Sequence, residues 1–401
     1  MKISGLKQKK SITKPKINLP AVRLRRPQLS RGKIALLIVC LALTAACCVL
    51  CFVYSARSGQ LLTQQAAERY EGEGEQRYAQ VSVFFPVGKE KSIADIYTFR
   101  STINGKLLDV SLEAKDGAPP LWQDAYSGSG ELTVEGNKGK ATVAATGVGG
   151  DWFSFHQLTL RSGGYFDEND LMHDRVVLDE KLAWQIFGSY DLAGMTVVIN
   201  GKPFVVAGVV AIEDDKATEK TYTATGEVFM HLDTLQQLLG EESGSGGVSC
   251  YELVCAEPIS GFTLGVVTEG FEGAQTVQNS GRFSPLSILK VVRAYGTRSM
   301  QTAGVAYPYW ENAARLTEDT LAALMMCIIL TALLPVGCLV WYIVRALRRG
   351  WLYLRWEAGP AFWERTSDRI REKQRIALKR RQKRIEEQWV KDDDSSDPPQ
   401  V

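Results

Sequence analysis

Catalytic raw material is scarce in this chain. Its 401 residues include three histidines, His156, His173 and His231, at spacings that match no metal-ligand motif, and H-E-x-x-H does not occur. No G-x-x-x-x-G-K-[ST] loop occurs either, which excludes a P-loop nucleotide site within these residues. Six of the eight cysteines, Cys40, Cys47, Cys48, Cys51, Cys327 and Cys338, lie in apolar runs and act as small packing residues. The other two, Cys250 and Cys255, sit on the strand-like "GVSCYELVCAE". A regular strand turns residues five apart to opposite faces, so a disulfide framework is excluded. "YSGSGE", from Tyr126, has its first glycine out of place for a G-x-S-x-G elbow and reads as a loop. "FDENDLMHD", Phe166 to Asp174, gathers carboxylates around His173 and could hold a cation, but it lacks the D-x-[DN]-x-[DN]-G order of a calcium loop and reads first as a solvated turn. His156 and His231 sit among apolar residues and read as packing or surface residues. With no catalytic constellation, no metal site and no cofactor motif, the expectation is a protein that is not an enzyme.

Two further absences organise the chain. Charge is missing from "IALLIVCLALTAACCVLCFVY", Ile34 to Tyr54, and from "LAALMMCIILTALLPVGCLVWYIV", Leu321 to Val344. Each run is long enough to cross a hydrocarbon core of about 30 Å as a helix. The first exceeds a signal-peptide core and no A-x-A site follows it, so it reads as an uncleaved anchor. The second carries Pro335 and Gly337, which a membrane helix tolerates and at which it can bend, and ends in the interfacial pair Trp341 and Tyr342. Acid is missing from residues 1–33, which hold eleven Lys or Arg. The residues from Arg345 onward hold fifteen basic and ten acidic residues, leaving the middle with 21 basic against 35 acidic. Positive flanks stay cytoplasmic, so Arg31 and Lys33 before the first run, and Arg345, Arg348 and Arg349 after the second, place both termini inside and residues 55–320 outside. Topology signalling and attraction to anionic lipid account for the basic arm, and nucleic acid is not expected as a partner.

The expected organisation follows. Residues 1–33 form a basic cytoplasmic arm, 34–54 a first span, 55–77 a stalk that continues its helix until Gly72 and Gly74 break it, and 78–308 the external domain. Residues 309–320 form a second stalk, 321–344 the second span, and 345–401 a charged, helix-prone tail. Within the domain, "YAQVSVFFPV" alternates as a strand, and "KSIADIYTFRSTI" has helical spacing with Ile93, Ile96, Tyr97 and Ile103 on one face. "KLLDVSLEA" reads as a further strand. A hairpin is expected around Gly136–Gly139 and another on Asn200-Gly201, with strand and helix in "VVLDEKLAWQIFG" between them. "TGEVFMHLDTLQQLLG" reads as strand into helix, "SGSGG", Ser243 to Gly247, as a flexible loop, and "PLSILKVVRAYG" as a helix. Mixed strands and helices of this kind predict an α+β fold.

Residues Tyr126 to Val210 resemble the extracytoplasmic core domain of MacB-type ABC transporter permeases, the wider FtsX-like group. The matching elements, in order, are Gly147-Val148, Trp152-Phe153, Leu158, Leu160, Gly163, Phe166, Val176 to Leu178, Ala183, Phe187-Gly188, Gly194, Asn200-Gly201, Phe204 and Gly208-Val209. These residues serve turns and core, so they identify a fold and not a chemistry. The resemblance implies a two-lobed α+β domain inserted between two transmembrane helices in a bacterial cell membrane. Permeases of this family carry two more helices after the second, which the sequence here does not show. The implied function is that of a permease-like, non-catalytic subunit of an ABC-type transport or mechanotransmission assembly. Its implied partners are an ABC ATPase, a full permease subunit or both, an envelope protein, membrane lipids, and a second subunit in a homo- or hetero-dimer. The alternative is a membrane-anchored external scaffold without a motor. In the tail, Arg348, Arg349, Trp351, Arg355 and Trp356 suit either a partner-contacting helix at the inner membrane surface or an ordinary stop-transfer flank.

Overall fold

A computed structural model describes residues 30–393 apart from residues 73, 75, 114–118, 224, 241–245, 299 and 300. The arm expected over residues 1–29 and the "SGS" of Ser243 to Ser245 lie outside the described residues. Helix α1, Arg31–Ser58, carries the first apolar run, and α10, Tyr309–Tyr353, carries the second. Both are long and apolar enough to cross a membrane, and side chains such as Phe52 and Leu333 are exposed, as lipid-facing residues are.

Between them lies one ten-stranded sheet in the order β10-β1-β9-β2-β3-β8-β5-β7-β4, with β6 pairing β2 and β7. The strands are β1 (Tyr78–Phe84), β2 (Trp122–Gly136), β3 (Gly139–Gly150), β4 (Thr159–Gly163), β5 (Arg175–Asp179), β6 (Thr196–Ile199), β7 (Lys202–Ala211), β8 (Glu227–His231), β9 (Cys250–Ala256) and β10 (Gln275–Gln278). Both expected hairpins form. At the second, Asn200 (φ 45°) and Gly201 (φ 81°) take the left-handed conformations of a two-residue I′ turn. One sheet thus carries two lobes. On one face, α3 (Ile93–Asp109) and α8 (Phe262–Gly270) cover the β10-β1-β9 half. On the same face, α5 (Glu180–Phe187) and α7 (Leu232–Leu239) cover the rest, and Val81, Phe99, Tyr251, Leu178, Ile186 and Leu235 share the core. The opposite face buries Phe84, Trp152, Phe155, Val177, Phe229 and Trp310 beneath α2 (Ala66–Glu71), α4 (Trp152–Phe155) and the start of α10. Strand alternation sets this division: Cys250 belongs to one face and Cys255 to the other, and both are free.

Four expectations are corrected. Lys106 to Asp109 are the last turn of α3 and not a strand. A Ser92–Asp95 capping box starts that helix, and Ile96, Phe99, Ile103 and Leu107 form a single buried face that the period of 3.6 carries past the expected break. Tyr97, expected on that face, is half exposed. "YSGSG" is not a loop but the middle of β2. Its glycines leave the strand flat where α7 lies across it: a Cβ on Gly128 would come within 2.8 Å of Leu232 and one on Gly130 within 2.7 Å of Leu239. The first stalk is not a continuation of α1. That helix ends at Gly59, and the chain then makes a 3₁₀ turn, Leu62–Gln64, and α2.

Candidate functional site at the joint of α10 and the domain

The second apolar helix enters the domain through three consecutive side chains, Tyr309, Trp310 and Glu311, in the first turn of α10. Pro308 precedes them in extended conformation, so the helix starts abruptly where it meets the sheet. Consecutive helical residues point about 100° apart, so the three reach three different parts of the fold.

Trp310, 3% exposed, packs edge-on against Trp152 (ring centroids 5.9 Å) and His156 (4.6 Å). His156 is stacked on Trp152 and fully buried, its Nε2 2.5 Å from Glu252 Oε2 on β9. Ser82 Oγ on β1 donates to the other oxygen of Glu252 at 3.1 Å. The packing role expected of His156 holds, with a buried polar partner that sequence did not indicate.

Tyr309 packs edge-on against Tyr222, at 4.8 Å. The Tyr222 hydroxyl donates to Asp179 Oδ2 at 2.8 Å, and Asp179 also accepts from the backbone N–H of Leu182 (2.6 Å) and Glu227 (3.0 Å). Asp179 therefore caps α5 and ties β5 to β8 in one group. Glu227 is fully desolvated beside it, and burial pushes its carboxyl up to about 7. Thr146 on β3 donates to its Oε1, while Oε2 has no partner among the described residues.

Glu311, with no exposure, accepts a bidentate pair from Arg282, Nη1 to Oε2 at 2.7 Å and Nη2 to Oε1 at 2.9 Å, and a third bond from Arg315 Nε at 2.7 Å. Arg282 Nε reaches Glu318 at 2.5 Å, and its Nη1 also reaches Gln64 Oε1, in the 3₁₀ turn, at 3.1 Å. Arg298 pairs with Glu318 and Asp319, and Arg315 lies over the Tyr307 ring at 3.7 Å. Burial alone would lower the Arg282 pKa, but the Glu311 and Glu318 carboxylates beside it hold it above its ordinary value. Three guanidinium groups thus face three carboxylates at the root of α10. Around them, Tyr54, Leu61, Phe283, Ile288, Ala313 and Leu321 bring α1, α10 and α9 (Pro285–Arg293) into one apolar cluster. The Tyr54 hydroxyl donates to the Phe283 carbonyl at 2.9 Å.

The profile of the MacB-like periplasmic core domain family matches residues 34–272. The chain belongs to that family. It is a membrane protein whose extracytoplasmic domain is flanked by two apolar helices. Among curated proteins it is similar to the macrolide export ATP-binding/permease protein MacB of Aggregatibacter actinomycetemcomitans, at 38% identity over 110 residues, 27% of this chain. The protein of the same name from Neisseria gonorrhoeae is 32% identical over 109 residues. Each match spans 17% of the relative's length. Among solved structures, the periplasmic region of MacB from Actinobacillus actinomycetemcomitans aligns over 55% of this chain and 94% of its own, with a TM-score of 0.36 at 16% identity. The extracellular domain of the noncanonic ABC-type transporter YknZ aligns over 49% and 99%, with a TM-score of 0.32 at 16% identity.

The profile match stops short of α10, so Tyr309, Trp310 and Glu311 lie outside it while their partners Trp152, His156 and Tyr222 lie within it. Sequence reasoning missed the joint for a physical reason. Glu311, Arg315 and Glu318, four and three apart, form a charged stripe that reads as a solvated helix face. Their partners Arg282 and Gln64 are remote in sequence. The residues that sequence did single out lie elsewhere: Arg348, Arg349 and Trp351 near the end of α10, Arg355 and Trp356 in a π turn, Leu354–Ala358. All five are exposed, and only Arg355 and Trp356 meet, with the guanidinium 5.9 Å from the ring centre. The π turn sits just before Pro360, whose ring and missing N–H disfavour a regular α turn, and α11 (Gly359–Asp393) continues beyond it. Helix therefore continues from the span through the π turn into the tail.

Proposed function

We propose that this chain is a permease-like, non-catalytic subunit of an ABC-type assembly. Its external domain would be moved through α10 by an ATPase that these 401 residues do not contain. The observation that carries the reading is the joint. Tyr309, Trp310 and Glu311 lock one continuous helix to both lobes of the sheet, so displacement of that helix in the membrane must move the domain with it. The relatives named for ATP binding and permease activity favour an ABC-type partner. The matched segment reaches too little of them to assign macrolide as the substrate here. In this reading both termini are cytoplasmic, the spans are residues 34–54 and 321–344, and the stalks are 55–77 and 309–320. The basic and aromatic set Arg348, Arg349, Trp351, Arg355 and Trp356 is where α10 meets the ATPase or a full permease subunit.

The test is affinity capture of the tagged full-length protein in mild detergent, with mass spectrometry of what co-purifies. An ATP-binding subunit is expected, and it should be lost when Arg348, Arg349 and Arg355 are changed together to Glu. Capture of external envelope proteins alone, after cross-linking, would replace this reading with that of a membrane-anchored scaffold.

A further inference from the structure

A second cluster lies apart from the joint, at the other end of β8. His231 closes that strand and precedes α7, whose first turn carries Asp233. His173 comes from the loop leading into β5. Fifty-eight residues apart in sequence, the two imidazoles are stacked, with centroids 4.0 Å apart and planes 9° from parallel. His173 Nδ1 lies 2.6 Å from Asp233 Oδ2. The three side chains each offer a ligand atom within 4.8 Å of the other two. His231 is 3% exposed, and its Nε2 has no hydrogen-bond partner among the described residues. A buried imidazole nitrogen without a protein partner needs one, and a cation would supply it.

We propose that His173, His231 and Asp233 form a site for a borderline divalent d-block cation, with Zn²⁺ as the type ion. The donor set is two imidazoles and one carboxylate, which suits Zn²⁺ and leaves a fourth position for water. Asp233 is set for monodentate binding: its Oδ1 accepts from the Thr234 backbone N–H at 2.7 Å, which leaves Oδ2 for the ion. His231 is held in place by β8, by the Phe166 ring at 4.4 Å and by burial. The side chain of His173 is 35% exposed. It is the ring that must turn, because parallel rings point their in-plane lone pairs side by side and not at one point. The positive end of α7 opposes a cation here. Asp233, Asp170 and Glu168, which all act on His231 with the opposite sign, offset it.

The site would order the loop between β4 and β5. Glu168 already anchors that loop, accepting from Tyr126 Oη at 2.9 Å and from Arg100 Nη2 at 3.3 Å. Beyond it Leu171 stands fully in solvent and Met172 is largely exposed, and an ion at His173 would pin the far side of this apolar tip.

The experiment is calorimetric titration of Zn²⁺ into the tag-free, chelator-stripped full chain in detergent, with His173→Ala and Asp233→Asn as variants and circular dichroism to confirm their fold. One equivalent is expected to bind, with affinity falling at least about tenfold in each variant and falling with pH as the ion displaces protons. Hydrogen exchange across residues 167–174 is expected to slow with Zn²⁺ in the parent and not in His173→Ala. Absence of saturable binding would overturn the proposal. So would binding of equal strength in both variants, which would place the ion elsewhere, for instance on the cysteines.

Discussion

The two apolar helices meet the same domain in opposite ways. On the α10 side, helix runs without interruption from the span into the sheet, and buried Trp310 and Glu311 and half-buried Tyr309 reach three separate parts of the fold. On the α1 side the helix stops at Ser58, and Gly59, the 3₁₀ turn and α2 intervene before β1. Those short pieces are pinned by side-chain amides. Gln80 accepts from the Ala66 N–H at 2.9 Å and donates to the Thr63 carbonyl at 2.8 Å, and Asn279 donates to Gln64 at 3.0 Å. A continuous helix resists bending along its length, whereas a chain that changes helix type twice bends at each change. In the proposed reading, this difference makes α10 the lever and the α1 connection the hinge.

The largest effect is expected from removing the lever's anchor. Trp310→Ala should destabilise the domain by about 3–5 kcal/mol, the cost of truncating a buried large aromatic, and near-ultraviolet circular dichroism during denaturation reads it directly. An unchanged midpoint would mean that α10 is only resting on the sheet.

Next comes the ion network. Arg282→Met should cost about 3–5 kcal/mol, because it strands Glu311 and Glu318 without their shared partner. The double change Arg282→Met with Glu311→Leu should recover much of that loss, since a buried pair replaced by apolar groups of similar volume is close to neutral. Thermal unfolding of the single and double variants checks this. A double variant as unstable as the sum of the singles would show that the two residues act independently.

Inserting Gly-Gly after Asp319 tests lever against hinge. Each glycine costs a helix interior about 1 kcal/mol relative to alanine and softens it. Spin-label distances between α1 and the domain, with partner and nucleotide present, should lose their response to nucleotide. The same insertion after Gly59 should leave that response intact. Equal sensitivity on both sides would erase the distinction.

The smallest effect is a pH dependence. Glu227 is raised in the folded state to about 7 from an ordinary value of 4.5, so the folded protein holds a proton that the unfolded chain has released. Its contribution to stability is full below pH 4.5 and is lost as pH rises through about 7. Glu227→Gln should flatten this part of the profile and raise stability above pH 7, as read by denaturation midpoints between pH 5 and 8.5. A profile identical to that of the parent would remove Glu227 as its source.

Much of the fold was legible from local pattern. The two apolar runs, the Asn200-Gly201 hairpin, the helix capped by Asp179 and closed by Gly188 in the left-handed conformation, and the strand-to-helix passage at His231 all follow from residue types a few positions apart. Reading failed where a local signal had a distant cause. The glycines of "YSGSG" look like a loop until α7, a hundred residues later, is seen to lie across them. The proposed cation site was hidden for the same reason: His173 and His231 have no motif spacing and become neighbours only because β5 and β8 pair antiparallel, with Val176 opposite Met230.

Sequence by itself determined what short-range physics can decide: two uncharged runs long enough to span a bilayer, the basic residues that flank them, and an alternating and helical pattern between them that makes an α+β domain. Tertiary structure alone decided which charges are buried and which helix is coupled. Glu311 and Arg282 are ordinary surface residues by composition, and only the packing of α10 against α9 and the 3₁₀ turn removes their water and leaves them each other.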